Sequence, residues 1–181
     1  MQTRFLIITG MSGAGKTQVV RTLEDLKYFC IDNLPAALIP KFAELCRQTS
    51  EKNVALVVDV RGGQFFDKLL QVLDEIKASG QKYELLFLDA DDATIVRRFK
   101  ETRRRHPLGD SETLLDNLAK ERELLEPLLE KATYVINTSE LNSSELKNKI
   151  SELFSTDTER ERMGIVVRSF GFKYGLPLDS D

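Results

Sequence analysis

Phe5-Leu6-Ile7-Ile8-Thr9, followed by Gly10-Met11-Ser12-Gly13-Ala14-Gly15-Lys16-Thr17, is the stretch that decides the fold. The first five residues are apolar and β-branched enough to read as a buried strand. The next eight match G-x-x-x-x-G-K-[ST] in full, directly after that strand and at the opening of a predicted helix from Lys16 to Leu26, which is the context the motif requires. Glycines at 10, 13 and 15 let the backbone turn without Cβ clashes, so that successive N–H groups face phosphate oxygens while the helix N-terminus adds its partial positive charge. Lys16 is placed to reach the β- and γ-phosphates and the Thr17 hydroxyl to ligate Mg²⁺. A glycine-rich turn that binds nothing is the bland alternative; motif and context together weigh against it.

Outward from this point, strand-like runs recur at Tyr28 to Ile31, Val54 to Val60, Leu85 to Leu88 and Tyr134 to Ile136. Between them the pattern is helical, over Ala36 to Gln48, Phe65 to Ala78, Ala93 to Arg104, Glu112 to Leu125 and Ser143 to Phe154. Such alternation predicts an α/β P-loop NTPase of kinase-like type, with a mostly parallel central sheet of about five strands covered by helices on both faces. The Leu- and Glu-rich stretch Glu121 to Lys131 contains Pro127 and reads as a broken amphipathic helix without chemistry of its own. Residues 1–155 form the predicted nucleotide-binding domain. Residues 156–181 hold a further short strand at Ile165 to Val167 and a Gly- and Pro-containing segment that reads as a linker toward a C-terminal domain.

The chain has 181 residues, 41% hydrophobic and 30% charged, enough to bury roughly two thirds of its unfolded surface. That excludes a disordered, collagenous or disulfide-framework protein. A formal net charge of −3 supplies no global positive field for nucleic acid or an anionic membrane. The opening apolar run, Phe5 to Ile8, is too short for a signal peptide or a membrane span, so a cytoplasmic protein is expected. Cys30 and Cys46 are expected as reduced core residues, and the single histidine, His106, does not make a zinc site.

A carboxylate is also needed to hold Mg²⁺ through water, and two strand ends compete for it. Asp59 closes Val54 to Val58 and leads into Arg61-Gly62-Gly63; Asp89 closes Leu85 to Leu88 and leads into Asp91 and Asp92, which read as helix caps. Asp32 ends the second strand, where it serves either an acceptor hydroxyl, as a kinase base would, or an Asx-type turn. All three face one crevice if ligands collect at the carboxyl ends of the strands.

From Arg97 to Arg105 the sequence RRFKETRRR carries six basic residues. On a helix, Arg97, Arg104 and Lys100 fall near one face, Arg98 and Arg105 near another. The segment reads as a lid whose arginines close over the triphosphate, as a phosphate-contacting patch for RNA, or as a solvated face. Pro107-Leu108-Gly109 breaks the helix, and His106 reads as a polar loop residue. Asn137-Thr138-Ser139 falls where such folds often touch the purine, without an N-K-x-D motif to select guanine.

Beyond the P-loop, Cys30-Ile31-Asp32-Asn33-Leu34-Pro35, Asp59-Val60-Arg61, Leu86 to Asp91, Thr102-Arg103-Arg104-Arg105-His106-Pro107-Leu108, Leu125-Glu126-Pro127-Leu128 and Ser169 to Pro177 closely resemble the RapZ/YvcJ family of nucleotide-binding proteins. The resemblance implies ATP binding through Gly10 to Thr17 and GTP binding through a second segment, Asp59-Val60-Arg61-Gly62. Family members carry Asn where this chain has Gly62, so no side chain is available there. It also implies a C-terminal domain associated with small-RNA binding and delivery to an endoribonuclease.

Three functions follow from these readings. The first is a regulatory domain that binds ATP and/or GTP with Mg²⁺ and hydrolyses it slowly, with Lys16, Asp59, Arg104 and Arg105 as its catalytic residues and Thr17 and Asp59 holding the metal. A small-metabolite kinase and an RNA-interaction module through Arg97 to Arg105 are the alternatives. Expected partners are nucleotide and the C-terminal domain, with RNA reached mainly through that domain; no membrane is expected, and an oligomer is compatible with the sequence.

Overall fold

Strands buried on both faces read as unbroken apolar runs, and three such strands form the centre of this protein. A computed structural model describes residues 4–48, 53–58, 63–80, 82–102, 106–108 and 113–155. In chain order the elements are β1 (Arg4–Gly10), α1 (Lys16–Asp25), β2 (Phe29–Asp32), a 3₁₀ turn (Ala36–Leu38), α2 (Ile39–Gln48), β3 (Asn53–Val57), α3 (Gly63–Ala78), β4 (Glu84–Asp89), α4 (Asp92–Thr102), α5 (Leu114–Glu130), β5 (Tyr134–Asn137) and α6 (Ser143–Phe154). The sheet is parallel throughout, in the order β2-β3-β1-β4-β5.

Central position dictates composition. Phe5, Leu6, Ile7 and Ile8 of β1, Val54 to Val57 of β3 and Leu85 to Leu88 of β4 are all buried, whereas the edge strands β2 and β5 alternate or lie open. The right-handed crossover rule sets α1, which carries the chain one way across the sheet, opposite α2, α3 and α5, which carry it back. Contacts agree: α1 packs on α6, α2 on α3, and α3 on α5. The chain leaves β1 toward β2 but leaves the neighbouring β4 toward β5, and that divergence opens a crevice above the carboxyl ends of the strands. No helix among the described residues is long and apolar enough to cross a membrane.

Several sequence expectations shift on contact with the structure. The helix predicted over 36–48 is a 3₁₀ turn followed by α2, with Pro40 in the first helical turn, where its missing N–H costs nothing. The helix expected to stop at Leu125 and to break at Pro127 runs unbroken to Glu130. Pro127 sits in its last turn, where one lost ladder bond is small beside the burial of Leu125 and Leu128. This helix starts at Leu114 because Thr113 and Asp116 form a reciprocal capping box. Both cysteines are free, Cys46 buried and Cys30 half-buried. The strand expected at 165–167 and the linker beyond it lie outside the described residues.

Candidate functional site

The loop from Gly10 to Thr17 grows out of β1 without leaving the sheet's hydrogen bonding. Met11 N–H donates to Leu88 O at 2.9 Å, the last rung of the β1–β4 ladder. Gly10 has φ 132° there, and a Cβ would stand 2.0 Å from Leu88 O, so only glycine fits. At the other end Gly15 caps α1 in the left-handed region, φ 102°, and provides no side chain to cover the first turn. A helix leaves its first N–H groups over for a partner, and no acidic residue occupies this turn.

Within the loop the side chains divide cleanly. Met11 and Ala14 are fully buried and take no part in lining the cleft. The Lys16 ammonium lies along the loop, Nζ donating to Gly10 O at 2.7 Å and to Met11 O at 3.1 Å. Lys16 and Thr17 line a cavity of about 690 Å³, together with Ser12, Gly13, Gly15 and Val20. Its far wall is built by Asp32 and Asn33 after β2 and by Val57 at the end of β3. Its roof is Arg98, Phe99, Glu101 and Thr102 of α4, with Pro107. Asn33 holds φ 60° and donates its N–H to Val57 O at 3.0 Å, which turns the chain sharply after Asp32.

The competing carboxylates are separated by their partners. Asp89 does not line the cavity; Arg122 of α5 holds its Oδ1 at 2.8 Å, and the same oxygen accepts Ala90 N–H. Asp92 is paired with the other arm of Arg122 at 2.8 Å. Asp91 caps α4 by accepting Thr94 N–H at 2.6 Å, and this hydrogen bond lowers its carboxyl below the ordinary range. The predicted crevice thus holds Asp32 but not Asp89. Asp59, Val60, Arg61 and Gly62, like Arg103, Arg104 and Arg105, lie outside the described residues.

Two clamps on the loop escaped the sequence reading. In the first, Arg98 donates to Gly13 O at 3.0 Å and reaches across to Thr138 Oγ1 at 3.0 Å and Thr138 O at 2.8 Å. Thr138 is fully buried, and its hydroxyl donates to Ala14 O at 2.9 Å, so this position braces the loop and does not stand open to a base. Burial, and the neighbouring charge of Arg97, pull the Arg98 guanidinium down from its ordinary value. In the second, Glu121 of α5 accepts the Ser12 N–H at 3.1 Å and the Ser12 hydroxyl at 2.6 Å, while His106 Nε2 lies 3.1 Å from its other oxygen. Glu121 is 3% and His106 6% exposed: His106 does lie in the loop between α4 and α5, as expected, but both side chains are buried. The helical spacing that separates Arg98 from Arg97 was the one signal for the first clamp; nothing local marks Glu121.

A parallel sheet with β1 central, a G-x-x-x-x-G-K-T loop at its carboxyl end and an arginine-bearing helix over it define a P-loop protein of the kinase-like α/β fold. Among solved structures, shikimate kinase from Acinetobacter baumannii in complex with shikimate superposes with a TM-score of 0.55 at 20% identity, covering 83% of this chain and 92% of that one. This likeness is one of fold. The RapZ-like N-terminal domain model matches residues 3–158, and the chain belongs to that family. Two proteins named nucleotide-binding protein, from Clostridium botulinum (strain Loch Maree) and Desulforudis audaxviator, are each 53% identical over 181 residues. The alignments cover 98% and 99% of this chain but 62% of each relative, so the chain spans less than two thirds of their length.

Proposed function

We propose that this domain binds a nucleoside triphosphate, ATP or GTP, with Mg²⁺ and hydrolyses it slowly as a regulatory module. The observation that carries the reading is the Lys16 ammonium laid along the loop's first carbonyls, at the mouth of a cavity it shares with Thr17. In that place it meets the terminal phosphates as they enter the loop, while the first turn of α1 meets the inner ones. The names of the relatives support the same ligand class.

The oxygen donors present suit a hard cation: the Thr17 hydroxyl would hold Mg²⁺, with the Asp32 carboxylate lining the same cavity and Asp59 as the outer-shell carboxylate. When bound, Mg²⁺ neutralises phosphate charge. Lys16 stabilises the charge that develops as a water oxygen bonds to the terminal phosphorus and the bridging oxygen leaves with the diphosphate. Arg104 or Arg105 adds a second cation. The segment Asp59-Val60-Arg61-Gly62 is the proposed GTP contact.

Phosphate release from ATP and from GTP, with Mg²⁺ and no acceptor, tests this in the wild type and in Lys16→Ala. Loss of turnover and of the nucleotide-dependent melting shift in the variant is expected; an unchanged shift overturns the site.

Asp32 in the cavity wall favours a second reading, phosphoryl transfer to a small hydroxylated acceptor whose proton the carboxylate takes. Acceptor-stimulated turnover lost in Asp32→Asn, with acceptor-free hydrolysis retained, would select it. Within a longer protein, residues 156–181 would pass the nucleotide state to a C-terminal domain. RNA contact belongs mainly to that domain, with the patch at 97–105 as a secondary surface.

A further inference from the structure

A buried carboxylate directly behind an anion-binding loop is costly unless it does something there. Glu121 is 3% exposed, 109 residues from Ser12 in sequence, and carries three donors: Ser12 N–H, the Ser12 hydroxyl and His106. The histidine's role follows from its other nitrogen. Nδ1 accepts Leu108 N–H at 3.3 Å, so the ring proton resides on Nε2 and is donated to Glu121. The acid therefore sits between serine and histidine, and this is no nucleophilic triad, in which the histidine must touch the hydroxyl. It is a bracket that holds Ser12.

Ser12 belongs to the terminal-phosphate end of the loop. Lys16, the side chain that reaches β- and γ-phosphates in this motif, rests on Gly10 O and Met11 O, immediately before Ser12. With its N–H and hydroxyl both drawn back to Glu121, Ser12 cannot turn them into the cavity it lines. The following amide, that of Gly13, is thereby held at a fixed orientation where the last phosphate arrives.

Resting on the reading of a nucleoside triphosphate site, we propose that Glu121, oriented by His106, is a positioning residue that sets the loop for the terminal phosphate and so makes the domain favour triphosphate over diphosphate. The carboxylate's own repulsion of phosphate is muted by its three donors. Its geometry, more than its charge, is what the loop uses.

The test measures binding of β,γ-imido ATP, β,γ-imido GTP, ADP and GDP by titration calorimetry with Mg²⁺, in the wild type, Glu121→Ala, Glu121→Gln and His106→Ala. Glu121→Ala should weaken the imido triphosphates about tenfold, the order expected when a charged hydrogen-bond acceptor is removed, and the diphosphates less than about twofold. Glu121→Gln, which keeps an acceptor for Ser12, should restore most of the ratio, and His106→Ala should fall between. Should Glu121→Ala not fold, Ser12→Ala removes one donor from the bracket and should lower the same ratio. Equal loss for di- and triphosphate, no loss, or tighter triphosphate binding in Glu121→Gln overturns the proposal alone. A wild type that binds none of the four nucleotides overturns the nucleotide reading with it.

Discussion

Replacing Arg98 with alanine removes a side chain that ties α4, the phosphate loop and the end of β5 together. Three hydrogen bonds of 2.8–3.0 Å are lost, but they are not equivalent. Gly13 is exposed, so water replaces the guanidinium at its carbonyl, and the Thr138 hydroxyl still has Ala14 O to bond. The Thr138 carbonyl belongs to a residue with no solvent exposure; it loses its shorter, charged donor and keeps only Leu141 N–H at 3.3 Å. Losing this hydrogen bond from a charged donor costs about 1.5 kcal/mol. For a chain of this size that lowers Tm by about 3–6 °C. Arg97→Ala is the control: Arg97 is exposed and its hydrogen bond among the described residues is a long one, 3.4 Å to Thr94 Oγ1, so its loss should stay within about 0.5 kcal/mol. Urea unfolding of the two variants beside the wild type gives both numbers. If Arg98→Ala is no more destabilising than Arg97→Ala, the clamp does not bear on stability and the reasoning fails.

Two further predictions rest on single groups. The Thr9 hydroxyl is buried in β1 with no hydrogen-bond partner among the described residues, so Thr9→Val, equal in shape, should stabilise the protein by about 1 kcal/mol in the same urea assay; a loss would show that the hydroxyl is satisfied after all. Burial first, and then the charge of Glu24, push the Cys30 thiol up to about 11 from its ordinary 9.0. In Cys46→Ser, alkylation of Cys30 by iodoacetamide should therefore climb with pH toward 11 and not level off near 9. Because the folded state favours the protonated thiol, its stabilising contribution is complete below pH 9 and lost between 9 and about 11.

Periodicity and the loop motif were sufficient for the sheet and for the site's floor, because those depend on neighbours in sequence. β1, β3 and β4 announce themselves as apolar runs, and Gly10, Gly15 and Lys16 owe their places to the strand before and the helix after. What stayed hidden depends on chain segments far apart. Glu121 looks like any glutamate in a Leu- and Glu-rich helix until α5 sets it against Ser12, and nothing in sequence tells that the loop residue His106 is buried by the same packing. Asp89, the competing candidate, illustrates the reverse case. Its position at a strand end is that of a metal-shell acid, yet Arg122, 33 residues later, takes the carboxylate. Pro127 misled for a local reason, since a helix breaker one turn from the end has little left to break.

The hydrogen bond from Met11 N–H to Leu88 O gives the phosphate loop an uneven dynamic character. Its root is a rung of the β1–β4 ladder, and that amide can meet solvent only when the two central strands part, an event as rare as unfolding of the whole domain. Immediately beyond, apart from one turn bond from Ala14 N–H to Met11 O, the backbone is tied down by side chains, Arg98 on Gly13 O and Glu121 on Ser12. Amide exchange should therefore change by orders of magnitude within the loop, slowest at Met11. A ligand would meet a rigid hinge post at one end and, at the other, a span whose tension is adjustable from α4 and α5.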